Sequence, residues 1–179
     1  MQNKDSESIQ KTNENLKNSN QPLVIPDTSY LGNGYYNNQQ DKTFNHVGDP
    51  INCNMNPLLF NNILSCQYFK DVVSVLDFYQ LIEEIVKNVN YAEPWTVGTN
   101  GIPSTLFCIL YRFMLMKLTE GQVYYLINYN ENDYVRCCGF LYMRYMSDPK
   151  DLWNLFYPYL YDEKSKKTLM LNFLVYFLF

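Results

Sequence analysis

The chain has 179 residues, a formal net charge of −4, and aromatic side chains at 17% of its positions. That length fits one domain with room for extra segments, and the acidic balance excludes a whole-chain electrostatic pull toward nucleic acid. An odd count of five cysteines, mostly in apolar helical contexts, suits a reducing compartment in which free Cys acts as a small buried hydrophobe.

Met1 to about Asn45 is rich in Asn, Gln, Ser and Lys and poor in aliphatic residues. Such a segment buries too little apolar surface to offset its ordering entropy, so residues 1–48 are expected to be a disordered lead-in. Leu23-Val-Ile-Pro26 is the one place in it where a short linear motif could sit, and an Asn-rich spacer is the simpler reading. The opening residues contain no apolar run of a secretory signal, which leaves cytoplasm or nucleus as the expected compartment.

A folded domain is expected over residues 49–163. Asn56-Pro57 is a helix start, with Asn as cap and Pro where no backbone donor is needed. Leu58, Leu59, Ile63 and Leu64 give that helix its apolar stripe, and Tyr68-Phe-Lys70 reads as a connector. Asp77 caps the next helix, in which Phe78, Leu81, Ile82, Ile85 and Val89 recur at helical spacing opposite a Glu83–Lys87 pair. Tyr91-Ala-Glu-Pro-Trp95 breaks the pattern, since Pro94 pushes its predecessor toward extended backbone. Trp95 is expected to anchor the following loop on the core, with a partner-facing role as the sharper alternative.

Three helices are then expected between Gly101 and Met146. The first follows Pro103, with Leu106, Ile109, Leu110, Phe113, Leu115 and Met116 covering nearly its whole circumference and Lys117 in its last turn. Thr119 and Gln122 form a capping box for the second. Asp133 begins the third, and Asp148-Pro149 restarts the chain into a helix with Leu152, Trp153, Leu155 and Phe156 as buried face, ended by Pro158. No stretch alternates at period two long enough to argue for a sheet. The fold class expected is therefore all-α, a compact bundle of about six short helices.

Catalytic chemistry finds little to work with. His46 is the single histidine and sits in the polar lead-in, which removes most acid–base and triad schemes. Gly98-Thr-Asn-Gly101 lacks the length and the Lys of a phosphate loop, and the cysteines have no metal-ligand spacing. No enzyme activity, cofactor, metal or small-molecule substrate is expected. Arg136 and Arg144 stand out, because an unpartnered buried guanidinium costs several kcal/mol and each must meet a carboxylate, backbone carbonyls or water. Glu93, Glu120, Asp133, Asp148 and Asp151 are the acids near in sequence. Internal pairing is favoured over a grip on a partner's carboxylate or phosphate. With Arg144 paired in the core, Arg144→Ala would cost about 2–4 kcal/mol. The candidate partner-binding or ion-pair residues are Arg136, Arg144, Glu93, Trp95 and Trp153.

A series of motifs in one order adds a resemblance. Asn56-Pro-Leu-Leu59, Ile63-Leu-Ser65, Tyr68-Phe-Lys70, Glu93-Pro-Trp95, Ser104-Thr-Leu-Phe-Cys-Ile-Leu-Tyr-Arg112, Leu115-Met-Lys-Leu-Thr119, Tyr134-Val-Arg136, Gly139-Phe-Leu-Tyr-Met-Arg-Tyr145 and Asp151-Leu-Trp153 resemble the pre-mRNA-splicing factor 38 family. The Glu-Pro-Trp, Lys-Leu-Thr and Asp-Leu-Trp are closer to its B-type branch. The resemblance covers about Asn54 to Glu163. It implies an all-helical domain of a nuclear protein that holds other spliceosomal proteins without catalysis, any RNA contact being indirect or weak. Two departures are visible. Only Thr96 to Ile102 stands where B-type members carry a longer Gly- and Arg-rich insertion, and the chain after Glu163 leaves the family pattern.

That last stretch, 164–179, runs from Lys-Ser-Lys-Lys167 into the apolar Thr168 to Phe179. About a dozen apolar residues fall short of the roughly 20 a membrane helix needs, so no membrane span is expected. The tail reads as a truncated or misassembled end. A genuine tail would be expected to dock beside the helix of Leu152 and Trp153. The functional alternative to a protein scaffold is single-stranded RNA binding through aromatics and arginines.

Overall fold

A computed structural model describes residues 42–75, 77–99 and 101–161. Most of the expected disordered lead-in and the apolar tail after Glu163, including its expected docking, lie outside the described residues. Among the described residues seven α-helices follow one another: α1 Pro57–Ser65, α2 Gln67–Val72, α3 Phe78–Asn88, α4 Thr105–Met116, α5 Glu120–Ile127, α6 Asp133–Met146 and α7 Leu152–Phe156, the last running into a 3₁₀ turn at Tyr157–Tyr159. Pairing of extended backbone among the described residues is limited to the isolated bridges Thr43–Thr119 and Trp95–Pro103. The all-α expectation holds. The additional helix is α2, which replaces the expected connector at Tyr68-Phe-Lys70 and buries Phe69 and Val72.

Local chemistry sets most of the helix starts. The Asn56 carboxamide oxygen accepts from the N–H groups of Leu58 and Leu59 ahead of Pro57, and the Asp77 carboxylate accepts from those of Tyr79 and Gln80. Thr119 and Gln122 make the reciprocal capping box, closed by bonds of 2.9 and 3.2 Å. Asp133 begins α6 as expected, in its first turn, and Asn132 before it is the cap, accepting from the N–H groups of Tyr134 and Val135. Lys117 lies past the last turn of α4, in left-handed backbone with φ 54°, where it ends the helix.

α4 and α6 are the centre of the bundle. α4 packs on α2, α3 and α6, and α6 packs on α3, α4 and α5. Eight residues of α4 and ten of α6 are buried, as their all-round apolarity requires. Gly139 lets α6 approach α5: a Cβ there would lie 2.8 Å from Leu126 Cβ and Ile127 Cγ2 and 2.9 Å from the Ile127 nitrogen. Four of the five cysteines are buried and all five are free thiols, so they serve as core hydrophobes.

Some apolar residues placed in the core by spacing are outside it. Leu58 and Leu64 of α1, Leu115 of α4 and Trp153 of α7 are exposed. Helices this short, at the edge of a bundle, have only a narrow covered stripe, so residues beside it face water. α7 correspondingly buries Leu152 and Phe156, with Leu155 half-buried. Pro158 sits within the 3₁₀ turn and does not end the helical path. Ordered chain also begins earlier than the expected start at residue 49. Glu120 N–H donates to Lys42 O at 2.8 Å, Phe44 N–H to Leu118 O at 2.8 Å and Val47 N–H to Met146 O at 2.9 Å. Residues 42–47 thus satisfy backbone groups at the ends of α4, α5 and α6.

Candidate functional site

The loop that carries Trp95 is stitched at its base. Ser104 N–H donates to Pro94 O at 2.9 Å and Thr96 N–H to Ile102 O at 2.8 Å, closing the short segment between α3 and α4. Asn62 of α1 donates to Gly101 O at 2.6 Å, and Gly101 takes the positive φ of +77° that this turn needs. Trp95 is thereby held half-buried against the core.

Across from it stands the end of α6. Asn54, itself in left-handed backbone at φ 61°, donates from Nδ2 to Val47 O at 2.8 Å and to Tyr145 O at 2.7 Å. Its Oδ1 accepts from Asp49 N–H at 3.0 Å. One carboxamide therefore joins the incoming chain to the C-terminal end of α6, whose carbonyls have no partner within the helix. A side chain at Gly48 would meet Asn54 Oδ1 at 2.0 Å, so only glycine fits beside this staple.

Between these two supports lies a cavity of about 630 Å³, open to solvent, with Trp95 and Pro94 on one side and Arg144, Tyr145, Ser147 and Pro149 on the other. Leu58, Leu59, Asn54 and Asn56 complete the lining with Val47 and Gly48. Arg144 occupies the last turn of α6, where a cation suits the negative end of the helix dipole. Burial pushes the Tyr145 hydroxyl upward in pKa, with the Arg144 guanidinium opposing it.

The candidates named from sequence separate into three places. Trp95 and Arg144 line the cavity together. Arg136 lies inside the bundle, 4% exposed, with its Nε donating to Ile127 O at 3.1 Å at the end of α5. Trp153 is on the outer face of α7, at one end of an exposed aromatic row whose ring centroids are 6.0 Å apart to Tyr157 and 5.3 Å from there to Tyr161. Glu93 is exposed and does not line the cavity. Arg112, not singled out by sequence, directs Nε and Nη2 to Val75 O at 2.9 and 2.8 Å and so fastens the α2–α3 loop to α4. Its signal was available, since a guanidinium amid an apolar run must find a partner. The Tyr157–Tyr161 row was invisible because the chain around Pro158 reads as a break.

The buried nucleophiles are chemically quiet. Burial raises the Cys138 thiol well above its ordinary range and Cys137 to about 12, so neither forms thiolate near neutrality. Among the described residues no group of three or more His, Cys, Asp or Glu side chains could hold a metal ion, and no helix is long and apolar enough to cross a membrane.

Known proteins match this chain along most of the described part. The chain is 42% identical over 108 residues to pre-mRNA splicing factor SR-like 1 of Arabidopsis thaliana, covering 60% of this chain and 28% of that protein. It is 37% identical over 137 residues to pre-mRNA-splicing factor 38B of Homo sapiens, covering 66% of this chain and 25% of that protein. The chain thus spans only about a quarter of the length of these relatives, 25% and 28%. In fold it is similar to a chain in the crystal structure of the Snu23–Prp38–MFAP1(217–258) complex of Chaetomium thermophilum, with a TM-score of 0.59 and 16% identity over 66% of this chain and 62% of that one. The profile of the PRP38 family matches residues 45–174, a stretch that begins before Asp49 and runs past Glu163. With most of its residues inside that match, the chain belongs to the PRP38 family.

Proposed function

We propose that this chain is a splicing factor of the nucleus that acts as a protein-interaction module among spliceosomal proteins, without catalysis. The observation that carries the reading is where the fold puts its reactive and charged groups. The thiols are core filling, and Arg112 and Arg136 hold backbone carbonyls. What faces solvent is a cavity bounded by Trp95 and Arg144 and an aromatic row from Trp153 to Tyr161, features of docking surfaces. The names of the relatives, splicing factors in a plant and a mammal, support the process, and the structural neighbour's place in a complex with Snu23 and MFAP1 supports the manner.

Direct RNA binding has weaker support. It needs several cations along one groove, and all three arginines have interactions within the fold, Arg112 and Arg136 on backbone carbonyls. Affinity capture from nuclear extract with the full chain as bait tests the proposal. Spliceosomal proteins are expected in the eluate. An eluate without them, from bait shown to be folded, would overturn the reading.

A further inference from the structure

We propose that Cys66 and Cys108 are a redox pair, two thiols that a small disulfide such as glutathione disulfide oxidises to a cross-link between the start of α2 and α4. The pair follows from how these helices pack and is independent of the interaction reading above.

Placement is the first support. The two residues are far apart in sequence, and α2 packs on α4. One face of α4 makes that contact. The Tyr111 ring meets Phe60 of α1 and Phe69 of α2, each with centroids 5.5 Å apart. Arg112 reaches the chain just past α2, at Val75 O. Cys108 lies one turn before Tyr111 and Arg112, on the same face of the helix. Cys66 is the residue between α1 and α2. Its thiol and that of Cys108 are hydrogen-bonded to each other, which brings the two sulfurs to where a disulfide needs them. Tyr68, whose hydroxyl donates to Glu84 at 2.8 Å, borders both sulfurs.

Exposure is the second. Cys66 is the single thiol of the five that is not buried, so an oxidant in solvent reaches it first. Cys53, Cys137 and Cys138 are in the core, out of such reach. Burial raises the Cys108 thiol and the neighbouring Cys66 adds to the shift, so thiolate is scarce at Cys108. The pair therefore divides into an entry thiol, Cys66, and a resolving thiol, Cys108. While reduced, Cys108 fills the core and Cys66 packs against it.

The exchange has two steps. The Cys66 thiolate attacks one sulfur of glutathione disulfide; a bond forms between Cys66 and that glutathione, the oxidant's own S–S bond breaks, and one glutathione leaves. Cys108 then attacks the Cys66 sulfur, the internal disulfide forms and the second glutathione leaves. Two electrons pass from the protein's sulfurs to those of glutathione, and the two thiol protons end on the two glutathiones released. Scarce Cys108 thiolate makes the second step the slower one. The product ties the corner between α1 and α2 to α4, and closing so long a loop restricts the unfolded chain.

The full reduced chain is incubated at mildly alkaline pH in glutathione buffers of rising disulfide fraction, quenched by alkylation and digested for mass spectrometry. Peptides joined through Cys66 and Cys108 are expected, preceded in time by glutathione on Cys66, with Cys53, Cys137 and Cys138 recovered as thiols. Oxidation should raise the thermal midpoint by several degrees, and dithiothreitol should return it. Cys66→Ser should abolish both the cross-link and the rise. Cys108→Ala should leave glutathione on Cys66 about tenfold more abundant than in the parent chain. Should that variant not fold, the order in which mixed and internal disulfides appear in the parent makes the same distinction. An oxidised chain, still helical by circular dichroism, without the Cys66–Cys108 peptides would overturn the proposal. So would a cross-link through Cys53, Cys137 or Cys138 in its place, or glutathione that stays on Cys66 of the parent chain.

Discussion

Arg136 Nε donates to the carbonyl oxygen of Ile127 at 3.1 Å, linking the start of α6 to the last residue of α5. The carbonyls at a helix C-terminus lack intrahelical partners and carry the negative end of the dipole, so a buried guanidinium stabilises that end twice over. Arg136→Ala is expected to lower stability by about 3 kcal/mol, because the carbonyl is left buried and unbonded. Arg144 is half-buried and lines a cavity open to solvent. Arg144→Ala should therefore cost less than Arg136→Ala. Urea unfolding of both variants checks the order, and a reversed order would contradict this account of the two side chains.

Gly139 carries the second prediction. Ala at this position would place a methyl 2.8 Å from Leu126 Cβ and 2.9 Å from the Ile127 backbone nitrogen, and neither can swing aside as a flexible side-chain end would. Helices α5 and α6 must separate, at a cost of about 2–3 kcal/mol. The thermal midpoint of Gly139→Ala should fall by several degrees, more than that of Ala in place of exposed Gln67. An unchanged midpoint would show that the two helices have slack at this crossing.

Alkaline pH provides the third. Burial raises Cys137 from its ordinary 9.0 to about 12, and Tyr142 and Tyr159 from 10.0 to about 12. Each group is raised in the folded state, so its stabilisation is fully present below the unfolded value and is lost as pH climbs through the folded one. Stability should hold steady below about pH 9 and decline from there toward pH 12, Cys137 acting first and the tyrosines from about pH 10. Denaturant midpoints measured across this range check it. Cys137→Ala should flatten the first part of the decline, and a level curve in the parent chain would contradict burial of these groups.

The sequence by itself determined the helix starts and the nature of the core. Asn56-Pro57, Asp77 and Thr119 with Gln122 cap where their short side chains predict, because a cap needs only a local acceptor and the first free N–H groups. The apolarity of residues 105–116 and 133–146 likewise required both to be interior. Tertiary structure alone decided which residues meet. Spacing makes Leu58, Leu115 and Trp153 equivalent to their buried neighbours, and only the position of the next helix tells which face is covered. Spacing also treats Arg136 and Arg144 alike, eight residues apart on one helix; the end of α5 lies against the first and a cavity against the second. Trp95 and Arg144 share that cavity because a stitched loop and the Asn54 staple bring distant segments together, and contacts between distant segments leave no periodic trace in a chain.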